Sequence, residues 1–196
     1  MSFLTGTSAE LIYASTAAGA TLATFTTEAQ LNTTATMGVQ AHLPPDFWLP
    51  NMNAVGRGIK IVARGILAST ATPTYTFTVR GGAAANTSAT PIIAGTSTLT
   101  TVAAATTCKW TFEADCILKT IGAAGQNSTL VSVGEVVCNG LAATNDLSVY
   151  GAGTSPGTVA SLDTSVTNFI NFNVACSASS ASNTVTLQQL LVYGLN

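Results

Sequence analysis

Residues 57–82, RGIKIVARGILASTATPTYTFTVRGG, hold two runs of strand-forming side chains on either side of the breaker Ala71-Thr72-Pro73. Side chains on a strand point alternately to opposite faces, so Ile59, Ile61 and Ala63, and then Tyr75, Phe77 and Val79, line one buried surface. The pattern predicts a β-hairpin. Its other face, Thr74, Thr76, Thr78 and Arg80, is the solvated or partner-facing side expected of an antiparallel sheet. The cleanest alternation comes later: Cys108, Trp110, Phe112, Ala114 and Cys116 face one way, and Lys109, Thr111, Glu113 and Asp115 the other. After the turn-forming GAAGQN, residues 128–138 return as its hairpin partner, which puts Cys138 beside Trp110. Val166, Ile170, Phe172 and Val174, then Val185, Leu187, Leu191 and Tyr193, mark two more strands. About eight strands and no helix result, which predicts an all-β fold, a two-sheet antiparallel sandwich of jelly-roll type.

Residues 33–196 would form that sandwich and residues 1–32 an extended N-terminal arm. In the arm, short apolar pieces (Phe3, Leu4, Leu11, Ile12, Tyr13, Leu22, Phe25) are set among Ala, Thr and Gly without the 3.6-residue period of a packed helix. Spaced anchors of this kind favour an arm laid along a neighbour over a disordered tail, which would be more polar. The plainer alternative makes the segment the first strand of the sheet. Residues 34–41 read as extended. In HLPPDFWLPN, prolines 44, 45 and 50 exclude a central strand. Phe47 and Trp48 carry too much apolar area to leave in water, so this is expected to be a packed corner, with an aromatic platform for sugar as the alternative. Residues 81–97 and 139–162 read as surface loops rich in small residues, the second with a short strand at 147–150.

Composition narrows the function classes. Charged residues are 7% of the 196-residue chain and apolar residues 47%, where soluble globular proteins are roughly a quarter charged. A chain this neutral either covers itself with Thr, Ser and Asn or buries surface against other subunits, so assembly is expected. A net charge of -2 and scattered Lys and Arg give no basic field, so nucleic acid is not an expected partner. The mean hydropathy of +0.43 comes from dispersed Ala and Val. No stretch nears the ~20 apolar residues of a spanning helix, and the aromatics form no barrel girdles, so no membrane is expected. The N-terminus lacks the basic region and apolar core of a secretory signal, so synthesis in the cytosol is expected. Cys108, Cys116, Cys138 and Cys176 would stay reduced there. They form no CxxC pair and there is one histidine, so no metal site is expected.

Little in the chain points to chemistry. Nucleophilic catalysis needs a base within reach of a Ser or Cys, and the one histidine, His42, sits in the proline-rich corner. Glu113 and Asp115, about 7 Å apart along one strand face, fall in the general range of a glycosidase pair. Lys109 and Lys119 flank them, which favours a solvated or salt-bridged edge. Gly81-Gly82 is not followed by the helix of a phosphate site. No enzyme activity and no cofactor are expected.

Residues 43–82, LPPDFWLPN…GRGIKIVARGILASTATPTYTFTVRGG, resemble a group of virion structural proteins of tailed bacteriophages, in which an aromatic loop leads into a jelly-roll hairpin. Gly58, Ile61, Gly65, Ser69, Thr72, Pro73 and Thr74 carry the likeness. The resemblance implies a capsid decoration or minor head protein, commonly a homotrimer, that clamps adjoining major capsid subunits on the surface of the virion, and it brings no catalytic residues. On that expectation Phe3, Leu4, Leu11, Ile12 and Tyr13 are the arm's capsid contacts. The alternative is a host-glycan-binding module at the tail tip or on a fibre, using Phe47, Trp48 and the loop 140–157.

Overall fold

The computed structural model describes residues 9–45, 47–48, 57–85, 91–96, 98–101, 107–139, 146–151 and 158–195. Among these, thirteen strands and one short helix are found. In chain order they are β1 (Glu10–Ala14), β2 (Ala29–Gln30), α1 (Thr34–Met37), β3 (His42–Leu43), β4 (Gly58–Ala68), β5 (Thr74–Gly82), β6 (Ile92–Thr96) and β7 (Leu99–Thr100). There follow β8 (Cys108–Thr120), β9 (Ser128–Asn139), β10 (Asp146–Tyr150), β11 (Thr158–Leu162), β12 (Asn168–Cys176) and β13 (Thr184–Leu195). The strands join one curled antiparallel sheet in the order β1-β13-β4-β8-β9-β10-β6-β5-β12-β2, with β11 beside β9, β3 beside β12 and β7 beside β5.

The curl brings distant parts of that order face to face. Phe77 of β5 meets Trp110 of β8 with ring centroids 4.9 Å apart. Trp110 stacks on Phe172 of β12 at 5.6 Å and 2°, and Phe112 meets the same Phe172 edge-on at 5.1 Å. All four rings are buried, each removal of such a side chain from water contributing about 1.5–3 kcal/mol. Gly65 of β4 lies opposite Trp110 in register. A Cβ at Gly65 would fall 2.1 Å from the Thr186 carbonyl oxygen and 2.4 Å from Trp110 Cζ2, so the indole is seated where only glycine leaves space.

The β8–β9 hairpin forms with the expected register, Trp110 opposite Cys138, around a short 3-10 turn at Ala123–Gly125. The alternation of β8 is observed too: Cys108, Trp110, Phe112, Ala114 and Cys116 are all buried. The hairpin expected over residues 57–82 does not form. β4 pairs with β13 and β8, whereas β5 pairs with β12, β6 and β7. The link between β4 and β5 crosses from one half of the sheet to the other, through Ala71 at φ +63° and a Thr70 N–H donated to Asn183 Oδ1 at 3.0 Å. Alternation fixes which side of a strand faces the core, and both runs do face it, but it carries no information about the lateral neighbour. The strand count also exceeds the expected eight, and residues 34–37, expected to be extended, form the single turn α1.

The N-terminal segment lies on its own chain. β1 pairs with β13, Leu11 opposite Tyr193. The backbone then follows β13 through Ser15 N–H to Leu190 O, Gly19 N–H to Leu187 O and a bridge between Leu22 and Val185. It crosses near Ser180, which accepts from Thr24 N–H, and continues along β12 through β2, Leu31 N–H to Phe172 O, and β3. This is the plainer of the two sequence readings, in which the segment belongs to the sheet. One strap thus runs beside the lateral edges of both β13 and β12. Uncovered edges template aggregation, so the strap protects the outer edges of β13 and β12.

Candidate interaction surfaces

The outer side of β12 is buried at its centre, although Phe169 and Ala175 nearer its ends are half-buried. Ile170, Phe172 and Val174 point into the core, while Asn171 and Asn173, on the opposite face, are also fully buried. The cover is the strap. Asn32 donates from Nδ2 to the Ile170 carbonyl at 2.7 Å and accepts from Phe172 N–H at 2.8 Å, standing in for a strand partner where the ladder is interrupted. Asn171 Oδ1 accepts from Gln30 at 3.2 Å and from Gln40, and its Nδ2 donates to Ala84 O at 3.0 Å.

Glu28 anchors the next part of this layer. Its carboxylate accepts from Arg80 Nε and Nη2, both at 2.7 Å, from Thr78 Oγ1 at 2.8 Å and from Asn173 Nδ2 at 2.9 Å. Burial pushes the Glu28 carboxyl up, but the hydrogen bonds from Arg80 and Thr78, the Arg80 charge and the Asn173 amide together outweigh it and hold the group below its ordinary value. The same contact raises Arg80. Thr78 and Arg80, read from sequence as a solvated or partner-facing side, are therefore covered by the chain's own strap. Nothing periodic marks Glu28 in the sequence; the usable signal is three asparagines at 168, 171 and 173 in a strand whose other members are all apolar.

The outer side of the β8–β9 hairpin has no such cover. Val131 and Val133 of β9 are 36% and 57% exposed, with half-buried Val137 on the same face and Ile117 opposite Val131. Glu113 stands directly opposite Glu135, and Lys60 of β4 binds Glu113 at 3.0 Å, which raises the Lys60 pKa. Both members of that ion pair are more than a third exposed, so it contributes little to stability. The sequence reading put Glu113 and Asp115 on a solvated or salt-bridged edge; β8 is instead an interior strand, and the cation is Lys60, opposite Asp115 on the adjoining β4, rather than Lys109 or Lys119. No group of three or more His, Cys, Asp or Glu able to hold a metal is present among the described residues.

The other sequence candidates fall as follows. Phe3 and Leu4 lie outside the described residues. Leu11 is 52% exposed, while Ile12 and Tyr13 are partly buried and pack against the chain's own core. Trp48 is 1% exposed and buried in the core, Phe47 packs edge-on against it at 5.5 Å, and the Arg57 guanidinium covers the Phe47 ring at 4.2 Å. The pair forms the expected packed corner and offers no open ring face at Trp48 for a sugar. Most of the loop 140–157 lies outside the described residues. His42 is exposed, with Nδ1 3.1 Å from Gln40 O and its ring 6.1 Å from that of Phe169. The four cysteines are buried free thiols, and burial pushes both Cys116 and Cys138 up to about 12, which keeps them in the unreactive neutral form. Comparison with known protein families, curated proteins and solved structures finds no match to this chain.

Proposed function

We propose that the chain is a non-enzymatic structural subunit of a phage particle, a jelly-roll capsid decoration protein that binds and stabilises the assembled head. The observation that carries this reading is the uncovered valine face of β9, in a chain with only 14 charged residues (6 Lys and Arg plus 8 Asp and Glu) out of 196. Apolar area removed from water contributes about 25 cal/mol per Å², and repetition over a lattice multiplies the effect through effective concentration. In this proposal the β8–β9 face meets the major capsid protein, and the first residues of the arm, Phe3 and Leu4 with Leu11, grip a neighbouring subunit. Because residues 10–32 are hydrogen-bonded into the sheet, a clean arm truncation ends before Ala9.

The test is binding of the purified chain to heads assembled without it, measured as copies retained per particle after sedimentation. Val131→Lys with Val133→Lys, which sets a cation opposite Asp115 rather than a second carboxylate, is expected to lower occupancy more than tenfold with an unfolding midpoint close to that of the unsubstituted chain. Full occupancy by that variant, or failure of the unmodified chain to bind heads, overturns the proposal. A few copies found only at the tail would favour an adhesive role.

A further inference from the structure

Val39, 62% exposed and one of the four large apolar side chains exposed among the described residues, lines a groove beside β1. The groove has a volume of about 330 Å³ and is lined by Ile12, Tyr13 and Ala14 on one side and Met37, Gly38 and Val39 on the other. The Tyr13 hydroxyl donates to Val39 O at 2.7 Å and ties the walls together. No ionic side chain lines it. Its shape and chemistry suit one or two large, uncharged side chains on an extended segment.

We propose that this groove receives the N-terminal segment of a second copy of the chain, with Phe3 and Leu4 seated against Tyr13, Met37 and Val39. Residues 1–8, MSFLTGTS, carry no charged side chain and hold an adjacent pair of large apolar residues, which matches the groove's lack of charge. Direction favours the second copy over the same one. The chain enters β1 at Glu10, opposite Gly194, whereas the groove lies beside Ile12–Thr16, downstream of that entry. A segment filling its own groove would have to reverse at once; one from a neighbour meets no such demand. Each copy then gives an arm and receives one, an exchange that closes either reciprocally in a two-fold pair or head-to-tail around a ring. This inference deepens the proposed function, since it names the neighbour that the arm grips, and it is tested without heads, so its failure leaves the head-binding result standing and the reverse.

Light scattering of the full chain is expected to give a discrete oligomer. Removal of residues 1–8, and separately Val39→Glu, are each expected to give single subunits with an unfolding midpoint close to that of the full chain, because β1 is kept in the first and Val39 is an exposed position in the second. In a second experiment, chains carrying only Phe3→Cys are mixed with chains carrying only Val39→Cys and oxidised mildly. A disulfide-linked pair containing one of each supports the exchange. A full chain that stays a single subunit, an oligomer that survives both variants, or a doubly substituted chain that cross-links only within itself overturns it.

Discussion

The two faces of β12 hold the same strand by different means. Inward, Phe172 packs on Trp110, Phe77 and Phe112, contacts that depend on volume and tolerate any shape that fills it. Outward, Asn171 and Asn173 are held by Gln30, Gln40 and Glu28, contacts that depend on direction and leave a stranded partner when one member is lost. A strand buried on both sides needs no second apolar face if its cover brings donors and acceptors, which here reach every polar atom of the two side chains except Asn173 Oδ1.

Substitutions on each face sharpen that contrast. Phe172→Ala is expected to cost about 3–5 kcal/mol, read as a lower denaturant midpoint at unchanged slope; a loss near 1 kcal/mol would mean the ring cluster is not what unites the two halves of the sheet. Gly65→Ala forces the Trp110 indole and the Thr186 carbonyl apart and is expected to cost about 1–3 kcal/mol, with a shift in tryptophan fluorescence as the local signature. Glu28→Ala leaves Arg80, Thr78 and Asn173 without their shared acceptor. It is expected to cost about 2 kcal/mol and to raise amide exchange in residues 28–32 before the rest. Glu28 is held below its ordinary value, so its contribution is complete above the unfolded value near about pH 4.3 and is lost as pH falls through the lower folded value. The stability difference between the unsubstituted chain and Glu28→Ala should accordingly narrow in acid, and a constant gap would assign the effect to packing. Val133→Thr, on the uncovered face, is expected to stay within about 0.5 kcal/mol.

The inward face was legible from sequence and the outward one was not. The alternation of β8, the β8–β9 register and the burial of Ile59, Ile61, Phe77 and Val79 all follow from side-chain period, because a half-buried strand writes its core face into every second residue. The arrangement of β4 and β5 on opposite halves could not be read that way, since two strands facing each other across a core carry the same pattern as two strands side by side. The strap was hidden for another reason. Its hold on β13 and β12 is made by backbone groups and by polar side chains, Asn32, Gln30 and Glu28, which look solvent-facing until the surface they cover is known. The aromatic corner was read correctly as packed, with Trp48 turned inward.

The strap also sets an order of events. Its residues 10–43 leave the ribosome well before their partners, since every strand they pair with lies between Asn168 and Leu195. Contacts so distant in sequence are slow to form because the loop must close before any of them is gained. Until β12 and β13 are made, the early segment is open to other chains, so at high expression the newborn polypeptide is at greatest risk in the interval before those two strands emerge.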